Sequence, residues 1–229
     1  MVVPLAMGWR HLLFEHWPMD PATLAPMLPS PLAIDTFDGA AWLGVIPFTN
    51  VAVRPAGLPP ALGIALPELN VRTYVTHDGT PGVYFFSLDA QGVASVLGAR
   101  LFHHLPYYYA RIALRSDGDR VHFHSRRRHP GARAAAYEAS YRPTGEAFRA
   151  SEDPFADFLV ERYRLFTDGW DGELRYTAVD HDPWTLAPAD ASVRTNTMLA
   201  ATGLARPERD PVYHYSPGLD VVAAPSRRV

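Results

Sequence analysis

The sequence predicts one α+β domain spanning residues 1–229, built on a large, mainly antiparallel β-sheet or barrel. Three observations carry that expectation. Short apolar runs alternate with polar positions and are punctuated by glycine, aspartate and proline turns at spacings of about 8–12 residues. Apolar side chains make up 48% of the chain and aromatic ones 12%, which suits a sheet-rich interior. Helix signals are few and short, and each opens on a capping aspartate.

Residues 9–17 read as a strand or extended arm. Asp20 then caps a short helix with Pro21 at its first position and Leu24, Met27 and Leu28 on one face; Pro29 and Pro31 end it. Residues 32–37, the turn Asp38-Gly39 and residues 42–48 form a hairpin signal, followed by a third strand over 49–54 and a proline-rich loop over 55–60. Strands over 68–75 and 82–88 are joined through His77-Asp78-Gly79-Thr80. Asp89 is placed to cap a helix carrying Val93, Val96, Leu97 and Leu101, weakened by Gly92 and Gly98. Residues 107–114 and 120–126 flank the turn Ser116-Asp117-Gly118-Asp119, with Val121, Phe123 and Ser125 alternating against His122, His124 and Arg126. A strand over 136–141 follows. Asp153-Pro154 opens the strongest helix signal, with a stripe of Phe155, Phe158, Leu159, Arg162, Tyr163 and Phe166. Late strands cover 174–179 and 212–222.

Composition excludes several classes of function. A net charge of −3 provides no field for nucleic acid or for an anionic membrane surface. No apolar run reaches the roughly 20 residues of a membrane helix. The first residues lack the basic and apolar regions of a signal peptide, so a cytoplasmic location is expected. There is no cysteine, hence no disulfide and no thiolate nucleophile or ligand. Nor is there any lysine: every basic side chain apart from histidine is arginine, a bias that a GC-rich genome would produce. Lysine Schiff-base chemistry is therefore ruled out. No glycine-rich phosphate loop and no Gly-x-Ser-x-Gly elbow occurs, and no cofactor is expected.

Two stretches carry a family resemblance: Pro67-Glu68-Leu69-Asn70-Val71-Arg72-Thr73-Tyr74-Val75 and Gly82-Val83-Tyr84-Phe85-Phe86-Ser87-Leu88-Asp89. With His16-Trp17, the 38–48 hairpin, Ala99-Arg100, Leu105-Pro106-Tyr107, His181-Asp182-Pro183-Trp184 and Tyr215-Ser216-Pro217-Gly218, they resemble the DUF2071 (YqjF-like) family over nearly the whole chain. That family is distantly similar to acetoacetate decarboxylase, which implies a closed, cone-like barrel of the acetoacetate decarboxylase-like type with helices packed outside. The local pattern is an arginine, five residues, a proline and a reactive pair. In the decarboxylases the pair is two lysines, one forming the imine and the other lowering its pKa. Here the arginine is Arg100 and the proline Pro106, but the pair is Tyr107-Tyr108. The resemblance allows a homo-oligomer, although no interface pattern stands out.

Glu68, Asn70 and Arg72 alternate along one strand and share a face. A guanidinium there matches the planar geometry of a carboxylate ligand, and Glu68 serves either as general base or as counter-ion to Arg72. The alternative is a solvated or internally paired face. Arg100 either binds an anion or locks its helix to the sheet. Tyr107 looks into the pocket if register is kept, as a hydrogen-bond donor or as packing. His122 and His124 share a face that with His104 or Glu138 would make a metal site; an exposed polar face is the simpler reading, and no metal is expected. Arg126-Arg127-Arg128 reads as a loop of solvated charges. His16, Trp17 and the 181–184 segment either line the barrel mouth or cap the core. The expectation is a protein that binds a small organic carboxylate or carbonyl compound, with Glu68 and Tyr107 as catalytic candidates and Asn70, Arg72 and Arg100 as ligand-binding ones. The alternative is a non-catalytic barrel filled by its own side chains.

Overall fold

The computed structural model describes residues 3–92, 107–169 and 172–229. Its strands are β1 (Leu5–Met19), β2 (Ala33–Ile34), β3 (Ala41–Pro55), β4 (Ile64–His77), β5 (Thr80–Ala90), β6 (Tyr107–Asp117), β7 (Arg120–Arg127), β8 (Ala136–Pro143), β9 (Phe148–Arg149), β10 (Arg164–Asp168), β11 (Leu174–His181), β12 (Thr185–Asn196), β13 (Val212–Ala223) and β14 (Arg227–Arg228). The helices α1 (Pro21–Leu24), α2 (Pro154–Val160) and α3 (Met198–Thr202) are short. This is the expected α+β fold, mainly antiparallel and closed on itself. Among the described residues no helix is long and apolar enough to cross a membrane.

Closure happens twice. One circuit runs β5-β6-β7-β8-β12-β13-β1-β3-β4 and returns to β5. The other leaves β5 through β10 and β11, rejoins at β13, and shares β13-β1-β3-β4 with the first. The branching works because β5 and β13 each divide their length between two partners. Val83 and Tyr84 of β5 pair β10, while Leu88, Asp89 and Ala90 pair β6. On β13, His214 and Tyr215 pair β12, and residues 221–223 pair β11. The shared strands are thus covered on both faces, and two cores form. One face packs Leu13, Trp17, Leu43, Val71, Phe123, Tyr137 and Tyr141 inside the larger circuit. The opposite face packs Leu12, Phe14, Ile46, Tyr74, Phe85 and Trp184 under α2. Each large side chain so buried contributes about 1.5–3 kcal/mol.

Several local expectations change. Asp20 caps α1 through Ala22 N at 2.8 Å as read, and the Asp38-Gly39 turn forms with both residues at positive φ. The strand before that turn is only Ala33–Ile34, however, and it pairs β4 rather than β3; the hairpin shrinks to a bridge between Phe37 and Ala40. Residues 42–54 belong to one continuous strand, β3, not two. The helix at Asp153-Pro154 stops at Val160, where Arg162 Nε donates to the Phe158 carbonyl at 2.6 Å. Phe166 consequently sits on a strand, where pairing with β11 and β5 overrides the helical spacing of its stripe. Asp89 is not a helix cap: it lies within β5, fully buried. The helix expected after it falls on residues outside the described ones, as does Arg100.

Candidate functional site

A cavity of about 330 Å³ opens between the shared strands and the layer made by α2, β10 and β11. That size suits a small organic ligand. Backbone bulges aim its wall. His11 has φ 57° and Ala52 φ 51°, so Trp9 and Leu12 line the same space, as do Asn50 and Val53. Between Val71 and Arg72 the β4–β5 register shifts, which brings both Phe85 and Leu88 into the lining. Each bulge adds one residue and resets the alternation.

Every described residue in the expected polar set reaches this cavity: Glu68, Asn70 and Arg72 from β4 and Tyr107 from β6. They do not form one cluster. Glu68, 7% exposed, accepts at Oε2 from Asn50 Nδ2 at 2.9 Å and from the Tyr107 hydroxyl at 3.0 Å. Burial pushes its carboxyl up to about 7; the two donors oppose the rise and nearby Asp89 adds to it. The Tyr107 hydroxyl is pushed well above its ordinary range by burial and by Glu68. Tyr107 is therefore a neutral donor, and Glu68 exchanges a proton near neutrality.

Arg72 stands apart from Glu68. Its Nη2 donates to the Leu159 carbonyl at 3.1 Å and lies 3.4 Å from the Tyr74 hydroxyl, while its guanidinium stacks near Phe14 and Tyr74. Among the described residues no carboxylate pairs with it, and its buried Nε has no partner. The reading of Glu68 as its counter-ion is therefore not what the structure contains. Asn70, 4% exposed, likewise leaves Oδ1 without a partner, and so does the Thr177 hydroxyl on the facing wall. Arg162, by contrast, is neutralised by Asp35 at 2.6 Å.

Behind Arg72 the Tyr74 hydroxyl meets His16 Nε2 at 2.5 Å. Burial first, then Arg72 and His214, hold the His16 imidazole well below its ordinary pKa, so it is neutral. Gly44 makes room for it: a Cβ there would stand 2.9 Å from the ring. His16 is thus at the floor of the cavity, not at its mouth, and Trp17 packs in the other core. His181 and Trp184 do line the cavity, in an aromatic cluster where Trp9 stacks on Trp184 at 5.9 Å.

Two surface expectations resolve differently. Arg127 is not solvated: it makes a buried pair with Asp89, with Nη2 to Oδ1 at 2.5 Å and Nε to Oδ2 at 3.1 Å, and it also bonds Ser87. Tyr108 lies across its guanidinium at 4.1 Å, on the side away from the cavity that Tyr107 lines. The alternation along β7 that turns Val121, Phe123 and Ser125 inward reaches Arg127 two residues later, and that was the signal for its burial. His122 and His124 are exposed on the outer face of β7, and among the described residues no three metal-ligating side chains are gathered. Asn50, Tyr74 and Thr177 were absent from the sequence-based set. Asn50 pairs with Glu68 across strands, which a linear motif does not reveal; Tyr74 continues the face of Arg72 and was open to the same alternation.

The doubly closed strand circuit with a cavity under a short helix is the fold of the acetoacetate decarboxylase-like proteins. The chain is similar to an acetoacetate decarboxylase-like enzyme from Sphingomonas wittichii RW1, with a TM-score of 0.69 and 14% identity over 99% of this chain and 93% of that one. It is similar too to the enduracididine biosynthesis enzyme MppR complexed with pyruvate, with a TM-score of 0.65 and 13% identity over 100% and 91%. At these identities the likeness establishes the fold alone. Within that class the chain belongs to the DUF2071 family, described as an uncharacterized conserved protein, whose match spans residues 6–220. It is 43% identical over 221 residues to the uncharacterized protein YqjF of Bacillus subtilis (strain 168), covering 96% of this chain and 90% of that protein.

Proposed function

We propose that the chain, as one acetoacetate decarboxylase-like unit, binds a small organic carboxylate or carbonyl compound in the cavity. Arg72 and Asn70 recognise the ligand, and Glu68 and Tyr107 are the groups able to move or share a proton. One observation carries this reading: an unpaired guanidinium, with its Nε orphaned, faces a cavity whose other walls are mostly carbon. A buried cation without a carboxylate is costly, and an anionic ligand supplies the missing partner in bidentate geometry. The solved relative complexed with pyruvate supports the same ligand class. With no lysine in the chain, chemistry here proceeds without a lysine imine: Glu68 takes or gives the proton, and Tyr107 or Arg72 meets developing oxyanion character. The rival, a barrel filled by its own side chains, fits the larger circuit and leaves the orphaned groups of the cavity unexplained.

Thermal-shift screening against keto acids and aromatic acids tests the reading. Wild type should be stabilised by some members of the panel, Glu68→Gln should keep that response with an altered pH dependence, and Arg72→Met should lose it. Equal responses from wild type and Arg72→Met would show that the site is misassigned.

A further inference from the structure

The residues of β4 that share the cavity face run from rim to floor. Ile64 is 52% exposed, Glu68 and Asn70 are buried, and Arg72 and Tyr74 follow at the inner end. Alternate residues stand about 6.6 Å apart, so Asn70 is one repeat from Arg72 and the rim about four repeats away. The two orphaned atoms on this face differ in kind. Arg72 Nε is a donor and Asn70 Oδ1 an acceptor. An anion satisfies the first; only a donor satisfies the second, and a buried acceptor left unmatched is destabilising until something supplies one. Glu68, Asn50 and Tyr107 meanwhile bond to one another, so nothing in that belt requires a ligand group. From there outward the lining is carbon: Leu5, Met7, Phe48, Val53 and Leu66.

Resting on the carboxylate reading above, we propose that the ligand is an elongated hydroxy acid. Its carboxylate sits on Arg72 at the floor, a hydroxyl a few carbons away donates to Asn70 Oδ1, and its hydrocarbon tail follows the apolar wall to the rim. The hydroxyl distinguishes this ligand from an oxo acid of the same skeleton, because a carbonyl only accepts and would face Asn70 Oδ1 lone pair to lone pair. The tail distinguishes it from a short keto acid, which would leave the outer half of the cavity unfilled.

Isothermal titration of the intact protein with three probes of one chain length separates the outcomes: a saturated straight-chain acid, its hydroxylated analogue and the matching oxo analogue. The hydroxy acid should bind wild type about tenfold more tightly than the saturated acid, and the oxo acid should show no such gain. In Asn70→Leu the hydroxy-to-saturated ratio should fall to near one with the saturated acid's affinity kept, and shorter tails should weaken binding throughout. Equal binding of hydroxy and saturated acids by wild type, or tightest binding of the oxo acid, overturns the proposal; if Arg72→Met still weakens all three, the carboxylate reading survives it. Undiminished binding by Arg72→Met, or no binding of any probe to wild type, overturns both.

Discussion

Two buried glutamates on opposite faces of the same sheet invite comparison. Glu15 on β1 faces the filled circuit, where the Tyr137 hydroxyl donates to Oε2 at 2.9 Å and Asn196 approaches at 3.5 Å. Glu68 on β4 faces the cavity, held by Asn50 and Tyr107 at matching distances. Burial pushes both carboxyls up to about 7. By pKa alone they are the same site. They differ in what stands beside them: Glu15 is packed among tyrosines and lines no part of the cavity, while Glu68 shares its face with open space, an orphaned acceptor and an unpaired guanidinium. A raised carboxyl pKa therefore reports desolvation, which any tight core produces. Space next to unmatched polar atoms is what marks the candidate site.

A third carboxylate sharpens the contrast with the largest expected effect. Asp89 is as buried as the other two but is held by a guanidinium. Arg127→Met would strand it and should cost about 3–5 kcal/mol of stability in urea denaturation at neutral pH. A loss under about 1 kcal/mol would mean that Asp89 escapes by protonation, as the glutamates do.

The glutamates themselves should act through pH. Unfolded glutamate titrates near 4.3 and the folded groups near 7, so the native state binds more protons between these values. Stability is then highest below about pH 4.3 as far as these two groups are concerned, falls as pH rises through 7, and levels off above it. Glu15→Gln should flatten that fall by roughly 3 kcal/mol between pH 5 and 8. Glu68→Gln should flatten it less, by roughly 1–2 kcal/mol, because water entering the cavity solvates the charge. Denaturation curves across that range measure both; an equal flattening would erase the distinction between filled and open faces.

These contrasts also explain what the sequence did and did not reveal. Alternation along residues 68–75 placed Glu68, Asn70 and Arg72 on one face, and the structure keeps them there, because a strand buried on both sides cannot slip by one residue without exchanging its faces. The turns at Asp38-Gly39 and Asp78-Gly79 were legible from side chains that tolerate positive φ. The second circuit was not legible, since it depends on β5 and β13 changing partners along their length, a property of pairing rather than of either strand. The bulges at His11 and Ala52 were hidden too: neither residue type announces a positive φ strongly, and each shifts which neighbours line the cavity. Arg127 and Asp89 were misplaced because charge was read as a sign of solvent, although the period of β7 already turned Arg127 inward.

The smallest effect expected is also the one that most directly separates a built structural charge from one kept for a ligand. Arg162 and Arg72 both border the cavity and both lie against Tyr74, at 5.4 and 5.7 Å. Arg162 has Asp35 and the Phe158 carbonyl, so Arg162→Met should cost about 1–2 kcal/mol. Arg72 has only the Leu159 carbonyl and a long contact to Tyr74, and its desolvation is not repaid by any described carboxylate. Arg72→Met should therefore leave stability unchanged or raise it by up to about 1 kcal/mol, the pattern of a residue retained at the expense of the fold. Parallel urea melts of the two variants without added ligand read the difference directly. A loss at Arg72 as large as that at Arg162 would make it one more structural arginine and would remove the asymmetry between the two faces of the sheet.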